Sequence, residues 1–192
     1  MVGPDVLEPG ELVERVAHRI ANGEIVGWFR GRMEFGPRAL GCRSILADPT
    51  RPDMKDTLNA KVKHRESFRP YGVSIPLEDL NTFFELDRPS PYMLQVARVR
   101  PEARARIPAA LHVNGTSRIQ TLTAERDGAF YQLAGKMGEL TGVPMVINTS
   151  FNDRGEPIVC TPEDALRSFH RMAIDCLAME NFLVEKEGSG GA

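Results

Sequence analysis

Four short segments of this sequence collect the side chains best suited to holding an anion. Residues 31–43 read Gly-Arg-Met-Glu-Phe-Gly-Pro-Arg-Ala-Leu-Gly-Cys-Arg, with glycines spaced around Arg32, Arg38 and Arg43. Glycine lets a backbone turn tightly and approach a ligand closely, and a guanidinium presents a planar fork matched to phosphate or carboxylate. The pattern is neither a P-loop nor a Gly-x-Gly-x-x-Gly fingerprint, because no Lys-Ser/Thr follows the glycines. A Gly-Pro turn with surface arginines explains it equally well when it is taken alone. Residues 62–70, Val-Lys-His-Arg-Glu-Ser-Phe-Arg-Pro, carry Lys63, Arg65 and Arg69 two and four apart. An extended run would set all three on one face at the mouth of a strand, as a site or as a solvated basic edge. In His-Val-Asn-Gly-Thr-Ser-Arg, at 112–118, an Asn-Gly turn delivers Arg118 to the start of a strand, in the manner of an ordinary hairpin. Residues 145–157 run an apolar strand out into Asn148, Thr149 and Ser150. That end offers an amide, two hydroxyls and turning N–H groups for a planar amide or an anion, or for the turn's own backbone.

The elements that must position these groups are readable from periodicity. Leu12, Val13, Val16, Ala17 and Ile20 predict a helix over 10–22, stopped by Gly23. Strands are expected at 24–29, 43–47, 71–75, 92–99, 118–123, 143–148 and 182–184, and helices at 54–61, 128–141 and 162–172. Thr161 is the expected N-cap of the last helix, with Glu163 and Asp164 in its first turn. Strands mixed with helices indicate an α/β or α+β sheet domain, with parallel and antiparallel pairing left open. One domain over 1–186 is expected, followed by a flexible Gly-Ser-Gly-Gly-Ala tail within 187–192.

Charge supports a small anionic ligand. The chain of 192 residues carries net −2, yet residues 28–69 hold ten basic and five acidic side chains, so that stretch is +5 and the rest −7. A net-acidic chain with one basic region suits a small anion better than a long polyanion, which needs an extended basic face. The excess of arginine, 19 against 5 lysines, fits bidentate anion binding or a GC-rich genome. Cys42, Cys160 and Cys176 are scattered and odd in number, and the four histidines form no HxxxH pair, so no protein-built metal site or disulfide framework is expected. No apolar run approaches membrane-spanning length and no signal peptide is recognisable, which leads to the expectation of a cytoplasmic protein.

Six motifs occur in order: Gly-Pro-Arg-Ala-Leu-Gly, Arg-Ser-Ile-Leu-Ala-Asp-Pro, Val-Lys-His-Arg-Glu-Ser-Phe-Arg-Pro, Ser-Pro-Tyr-Met, His-Val-Asn-Gly-Thr-Ser-Arg, and Asn-Thr-Ser-Phe-Asn-x-x-Gly-Glu-Pro-Ile-Val-Cys-Thr-Pro-Glu-Asp-Ala. From about residue 31 to 184 the chain resembles the C-terminal domain of NodU/CmcH-type O-carbamoyltransferases. Cys42, Asn114 and Gly72-Val73 depart from that family's usual Asn, Asp and Ala-Pro. The resemblance implies a YrdC-like fold, an open twisted mixed sheet with flanking helices. It implies a domain that uses carbamoyl phosphate and ATP with Mg²⁺ to form carbamoyl adenylate. A separate N-terminal metal-binding transferase domain would then pass the carbamoyl group to a hydroxyl acceptor. By motif position, Arg38, Lys63, Arg69 and Arg118 match the family's cationic lining with catalytic roles, and Asn148 and Ser150 its polar substrate contacts. No general base is assigned, and His64 is taken as a bystander. Two other readings stand beside this one: a threonylcarbamoyl-adenylate synthase on the same fold, and an RNA-binding module using the basic stretch. The net charge and the scarcity of aromatics among the basic residues count against RNA.

Overall fold

The computed structural model describes residues 5–186; the expected tail, 187–192, lies outside the described residues. In chain order the elements are β1 (Asp5–Val6), α1 (Pro9–Ala21), β2 (Val26–Phe29), β3 (Arg43–Ala47), α2 (Met54–Thr57), β4 (Gly72–Pro76), α3 (Leu80–Phe83), β5 (Gln95–Arg98), β6 (Thr116–Leu122), α4 (Ala124–Thr141), β7 (Val146–Ser150), α5 (Pro162–Arg171), β8 (Cys176–Met179) and β9 (Phe182–Glu185). The strands form one sheet in the order β1-β9-β8-β2-β3-β7-β4-β6-β5. Among the described residues only β2–β8 and β4–β6 pair in parallel. The expected open mixed sheet with flanking helices is what the chain forms.

Alternation sorts the apolar residues to the two faces. Trp28, Leu46 and Val146 join Leu12, Val16 and Ile20 of α1 and Phe130 and Met137 of α4 in one core. Phe29, Ile45 and Ile147 face the other way, onto Met54, Leu58, Phe151 and Phe169 around α2 and α5. A third cluster, including Val73, Ile75, Phe83, Phe84, Ile119 and Met145, closes the β4–β6 end. The central strands β2 and β3 are buried along their whole length, which is why β2 and the 45–47 end of β3 read as apolar runs without alternation.

Several bounds shift, as in the strands expected at 24–29 and 92–99, which form at Val26–Phe29 and Gln95–Arg98, and three further differences have clear physical reasons. The strand expected at 143–148 begins at Val146, beyond Pro144, which has no N–H to give a ladder, and runs on to Ser150, paired with Ser44. The helix expected at 54–61 is α-helical only to Thr57 and widens into a π-helical turn, Leu58–Val62. The helix expected from Gly128 starts at Ala124, and Gly128, at φ 46° and ψ −116°, marks a break inside it, a geometry open to glycine. The sequence reading missed β1, α3 and β8.

The expected cap of α5 is present. The Thr161 side chain accepts from the Asp164 N–H at 3.2 Å, while the Asp164 carboxylate accepts from the Thr161 N–H at 3.0 Å. That reciprocal pair holds the carboxyl of Asp164 below its ordinary range. Thr161→Ala is expected to cost about 1 kcal/mol, measured as a lower denaturation midpoint at unchanged m-value.

Candidate functional site

The loop at 31–42, between β2 and β3, carries Arg38 and is pinned from several sides. Glu34 Oε1 accepts from the N–H groups of Leu40 (2.6 Å) and Cys42 (2.7 Å). Trp28 Nε1 donates to the Gly41 carbonyl at 2.9 Å, and Gln120 Nε2 donates to the Leu40 carbonyl at 2.7 Å. Gly41 has φ +116°, and a Cβ there would lie 2.4 Å from Phe130, so only glycine serves. Burial and the neighbouring Glu34 push the Cys42 thiol up to about 11, which keeps it neutral. Arg43, 4% exposed, is tied to the carbonyls of Arg30, Gly31, Cys42 and Cys160, and its guanidinium lies over Phe29. It fastens the base of the loop to the start of α5.

The segment at 63–71 is organised differently from the extended run the spacing suggested. His64 takes φ 46°, and Arg69 N–H donates back to the Glu66 carbonyl, so a turn brings the cations together. Asn59, 1% exposed on the π-helical turn, directs it: Nδ2 donates to the carbonyls of Ser67 and Arg69, and Oδ1 accepts from Arg65 Nε and Tyr71 Oη, both at 2.8 Å. The Arg65 guanidinium also stacks over the Tyr71 ring, 4.5 Å from its centroid. Lys63 is 8% exposed, and Nζ donates to Ser150 O (2.7 Å), Asn152 O (2.9 Å) and Asn152 Oδ1 (2.9 Å). Burial and then Arg65 pull this ammonium down to about 7, with Asp153 opposing.

These pieces enclose two adjoining cavities. One, of about 290 Å³, is lined by Arg38, Arg65, Arg69, Arg118, Asn148 and Ser150, with Tyr71 and Met93 among its walls. The other, of about 310 Å³, shares Arg65, Arg69 and Ser150 and adds Lys63, Asn152 and Arg154, with Glu66 and Asp153 as its acids. All six residues singled out from the sequence therefore line one of the two. Arg65, Asn152 and Arg154 are lining residues that the sequence reading did not select; Arg65 was noted only for its spacing. His64 lines neither cavity. Arg69 is exposed and holds Glu66 at 3.4 Å.

Electrostatically the site is prepared for negative charge. Burial, then Arg38 and Arg65, lower the affinity of the Arg118 guanidinium for its proton. Three cations gathered without a matching acid are a cost in the empty protein that an anion removes. Among the described residues no group of three or more His, Cys, Asp or Glu side chains is placed to hold a metal. No helix of the described residues is long and apolar enough to cross a membrane.

Comparison with known proteins gives these cavities a context. A family model described as "Carbamoyltransferase C-terminus" matches residues 17–186. The uncharacterized protein sll1178 of Synechocystis is 47% identical, with 95% of this chain and 33% of that protein covered. Nodulation protein NolO of Bradyrhizobium diazoefficiens is 43% identical, with 95% and 34% covered. The 3'-hydroxymethylcephem-O-carbamoyltransferase of Streptomyces clavuligerus is 38% identical, with 77% and 28% covered. The chain thus spans about a third of the length of the curated relatives it matches. The crystal structure of full-length HypF in its phosphate- and nucleotide-bound form superposes with a TM-score of 0.60 at 18% identity, covering 90% of this chain and 25% of HypF. That likeness bears out the YrdC-like fold.

Proposed function

The chain belongs to the carbamoyltransferase C-terminus family, and on that premise we propose that its paired cavities bind carbamoyl phosphate and ATP and form carbamoyl adenylate. The observation that carries this reading is the convergence of Arg38, Arg65, Arg69 and Arg118 from separate loops and strands on one cavity, with Lys63 and Arg154 in the next. Carbamoyl phosphate brings about two negative charges near neutral pH and ATP brings more. Two adjoining cationic hollows are suited to two small polyanions whose reacting atoms must meet.

The balance takes in carbamoyl phosphate, water and ATP and gives carbamoyl adenylate, phosphate and pyrophosphate. No protein nucleophile is required. Orientation of the reactants and stabilisation of charge on the phosphate oxygens supply the rate. Arg38, Arg69 and Arg118 offer forked donors, Ser150 a hydroxyl, and Asn148 an amide. Lys63, with its protons on the Ser150–Asn152 turn, holds that turn as the wall of both cavities. Mg²⁺ would arrive on the phosphates of ATP. On this reading a separate N-terminal transferase domain would serve the hydroxyl acceptor, and a cytoplasmic setting accords with this chemistry.

Mixing the purified chain with ATP, Mg²⁺ and carbamoyl phosphate is expected to release pyrophosphate at a rate that depends on carbamoyl phosphate. Release driven only by threonine and bicarbonate would transfer the chain to threonylcarbamoyl-adenylate synthesis. Failure with both substrate sets would leave the domain a binding unit.

A further inference from the structure

Asn148, Gly72 and Arg118 stand side by side on adjacent strands: Gly72 of β4 is the Cα partner of Asn148 in β7 and of Arg118 in β6. Residues directly opposite one another share a sheet face. On this face the strands change character step by step. Asn148 and Arg118 line the cavity, Ser74 and Gln120 form a buried polar pair two residues further along β4 and β6, and Leu122 and Val146 enter the apolar core.

The polar pair fixes the orientation of the Asn148 amide. Gln120 is 1% exposed, and its Nε2 must face the Leu40 carbonyl, which can only accept. Its Oε1 is thereby turned to Ser74 Oγ (2.6 Å) and Asn148 Nδ2 (3.0 Å). Asn148 Nδ2 also donates to the Ala39 carbonyl at 3.3 Å and lies 3.0 Å from Ser74 Oγ. A flipped Asn148 would set oxygen against oxygen at both Ala39 and Gln120. Asn148 Oδ1 is left buried with no donor, and across Gly72 the buried Arg118 Nε is left with no acceptor. Gly72 has no side chain to intrude: a Cβ there would lie 3.2 Å from Arg118 Nε and 2.9 Å from Met93 Sδ. One unpaired acceptor and one unpaired donor thus belong to two wall residues of the same cavity, and each orphan costs stability until a ligand meets it.

We propose that Gln120 is the specificity-determining positioning residue of this site: by locking the Asn148 amide it dedicates Oδ1 to an N–H of the ligand, while Arg118 Nε takes the adjoining carbonyl. Resting on the carbamoyl phosphate reading above, this makes the cavity a reader of the planar H₂N–C=O group, distinct from its general attraction for phosphate. Acetyl phosphate is the natural probe, since it keeps the phosphate and carbonyl and replaces NH₂ with a methyl that cannot donate.

Calorimetric titrations of the full chain with carbamoyl phosphate, acetyl phosphate and inorganic phosphate test this. The chain is expected to prefer carbamoyl over acetyl phosphate by about 10-fold, the cost of leaving a buried acceptor unmet. In Gln120→Met, of similar volume, only the longer 3.3 Å contact to the Ala39 carbonyl still favours the original orientation, and the freed Ser74 hydroxyl can donate to a turned Oδ1, so the amide is no longer locked. The carbamoyl-to-acetyl preference within the variant should then fall to about two-fold or less, a ratio that a uniform loss of phosphate affinity through the 31–42 loop leaves unmoved. Equal binding of carbamoyl and acetyl phosphate by the unsubstituted chain, with phosphate also bound, overturns the proposal and leaves the cationic site standing; that comparison needs no variant. Preference retained in a folded Gln120→Met removes Gln120 from the role. Binding of none of the three overturns the carbamoyl phosphate reading itself and this inference with it.

Discussion

Arg118→Ala is expected to weaken carbamoyl phosphate binding by about 10-fold or more, because a charge-assisted hydrogen bond to this half-buried guanidinium contributes about 1.5–3 kcal/mol. The same substitution should leave the ligand-free protein as stable as before, or more stable. In the empty site Arg118 has a buried Nε without an acceptor and sits against Arg38 and Arg65, and alanine removes both burdens. Thermal unfolding with and without carbamoyl phosphate separates the two effects. The unsubstituted chain gains stability on saturation according to RT ln(1 + [L]/Kd), whereas the variant starts level or higher and gains less. A drop in ligand-free stability with unchanged affinity would make Arg118 a structural residue and remove it from the site. Arg38, exposed on its pinned loop, should show the affinity loss with little change in either direction in the empty protein.

The opposing signs at Arg118 explain why part of this site was legible in the sequence. Arg38, in the loop before β3, and Arg118, inside β6, stood out through the motifs shared with the family, and the fold supplies the physical reason: like charges gathered on one cavity are poor folding design without a counter-charge. Asn148 and Ser150 were visible for a related reason: polar side chains closing an apolar strand are costly unless something uses them. The contribution of Gln120 was hidden. It lies between Ile119 and Thr121 in a strand whose alternation is otherwise unremarkable, and only the sheet register brings it to Asn148 and the Leu40 carbonyl. A polar residue inside an apolar strand at Ser74 and again at Gln120 is the signal that could have flagged the pair.

Arg65 and Arg69 reach the cavities by a turn at His64 and Glu66, a geometry that period-two counting cannot anticipate. Strand order was equally out of reach. The residues of β2 and β3 are buried on both faces, so their sequences carry no alternation to tell a parallel neighbour from an antiparallel one. The short strand β8 shows the same limit, since Cys-Leu-Ala-Met reads as any apolar connector until Val26 pairs with Cys176. Only the folded sheet sorts Trp28, Leu46 and Val146 from Phe29, Ile45 and Ile147 onto opposite cores.

Lys63 gives the second large expected effect, and its sign depends on pH. Its proton is held to about 7 in the folded chain against 10.5 for an ordinary lysine. Between those values the unfolded chain binds the proton and the folded chain does not, so stability rises with pH across that window, by at most about 1.4 kcal/mol per unit. Below about 7 both states hold the proton and this contribution is flat. Lys63→Met should abolish the slope. At pH 9, where the folded chain holds the lysine neutral, the variant should be less stable by about 2 kcal/mol, since the carbonyls of Ser150 and Asn152 lose a buried donor. As pH falls from there toward 7 the deficit should shrink or reverse, because methionine relieves the desolvated ammonium, and below about 7 it should stay constant. Binding moves the opposite way: an anion favours the protonated lysine, so affinity for sulfate, which does not titrate in this range, should fall as pH rises past 7 and lose that dependence in the variant. Urea titrations at pH 6 and pH 9 with parallel sulfate calorimetry read both quantities. A variant that keeps the slope in either would show that another group titrates there, and that the ammonium holds the Ser150–Asn152 turn without sensing the ligand.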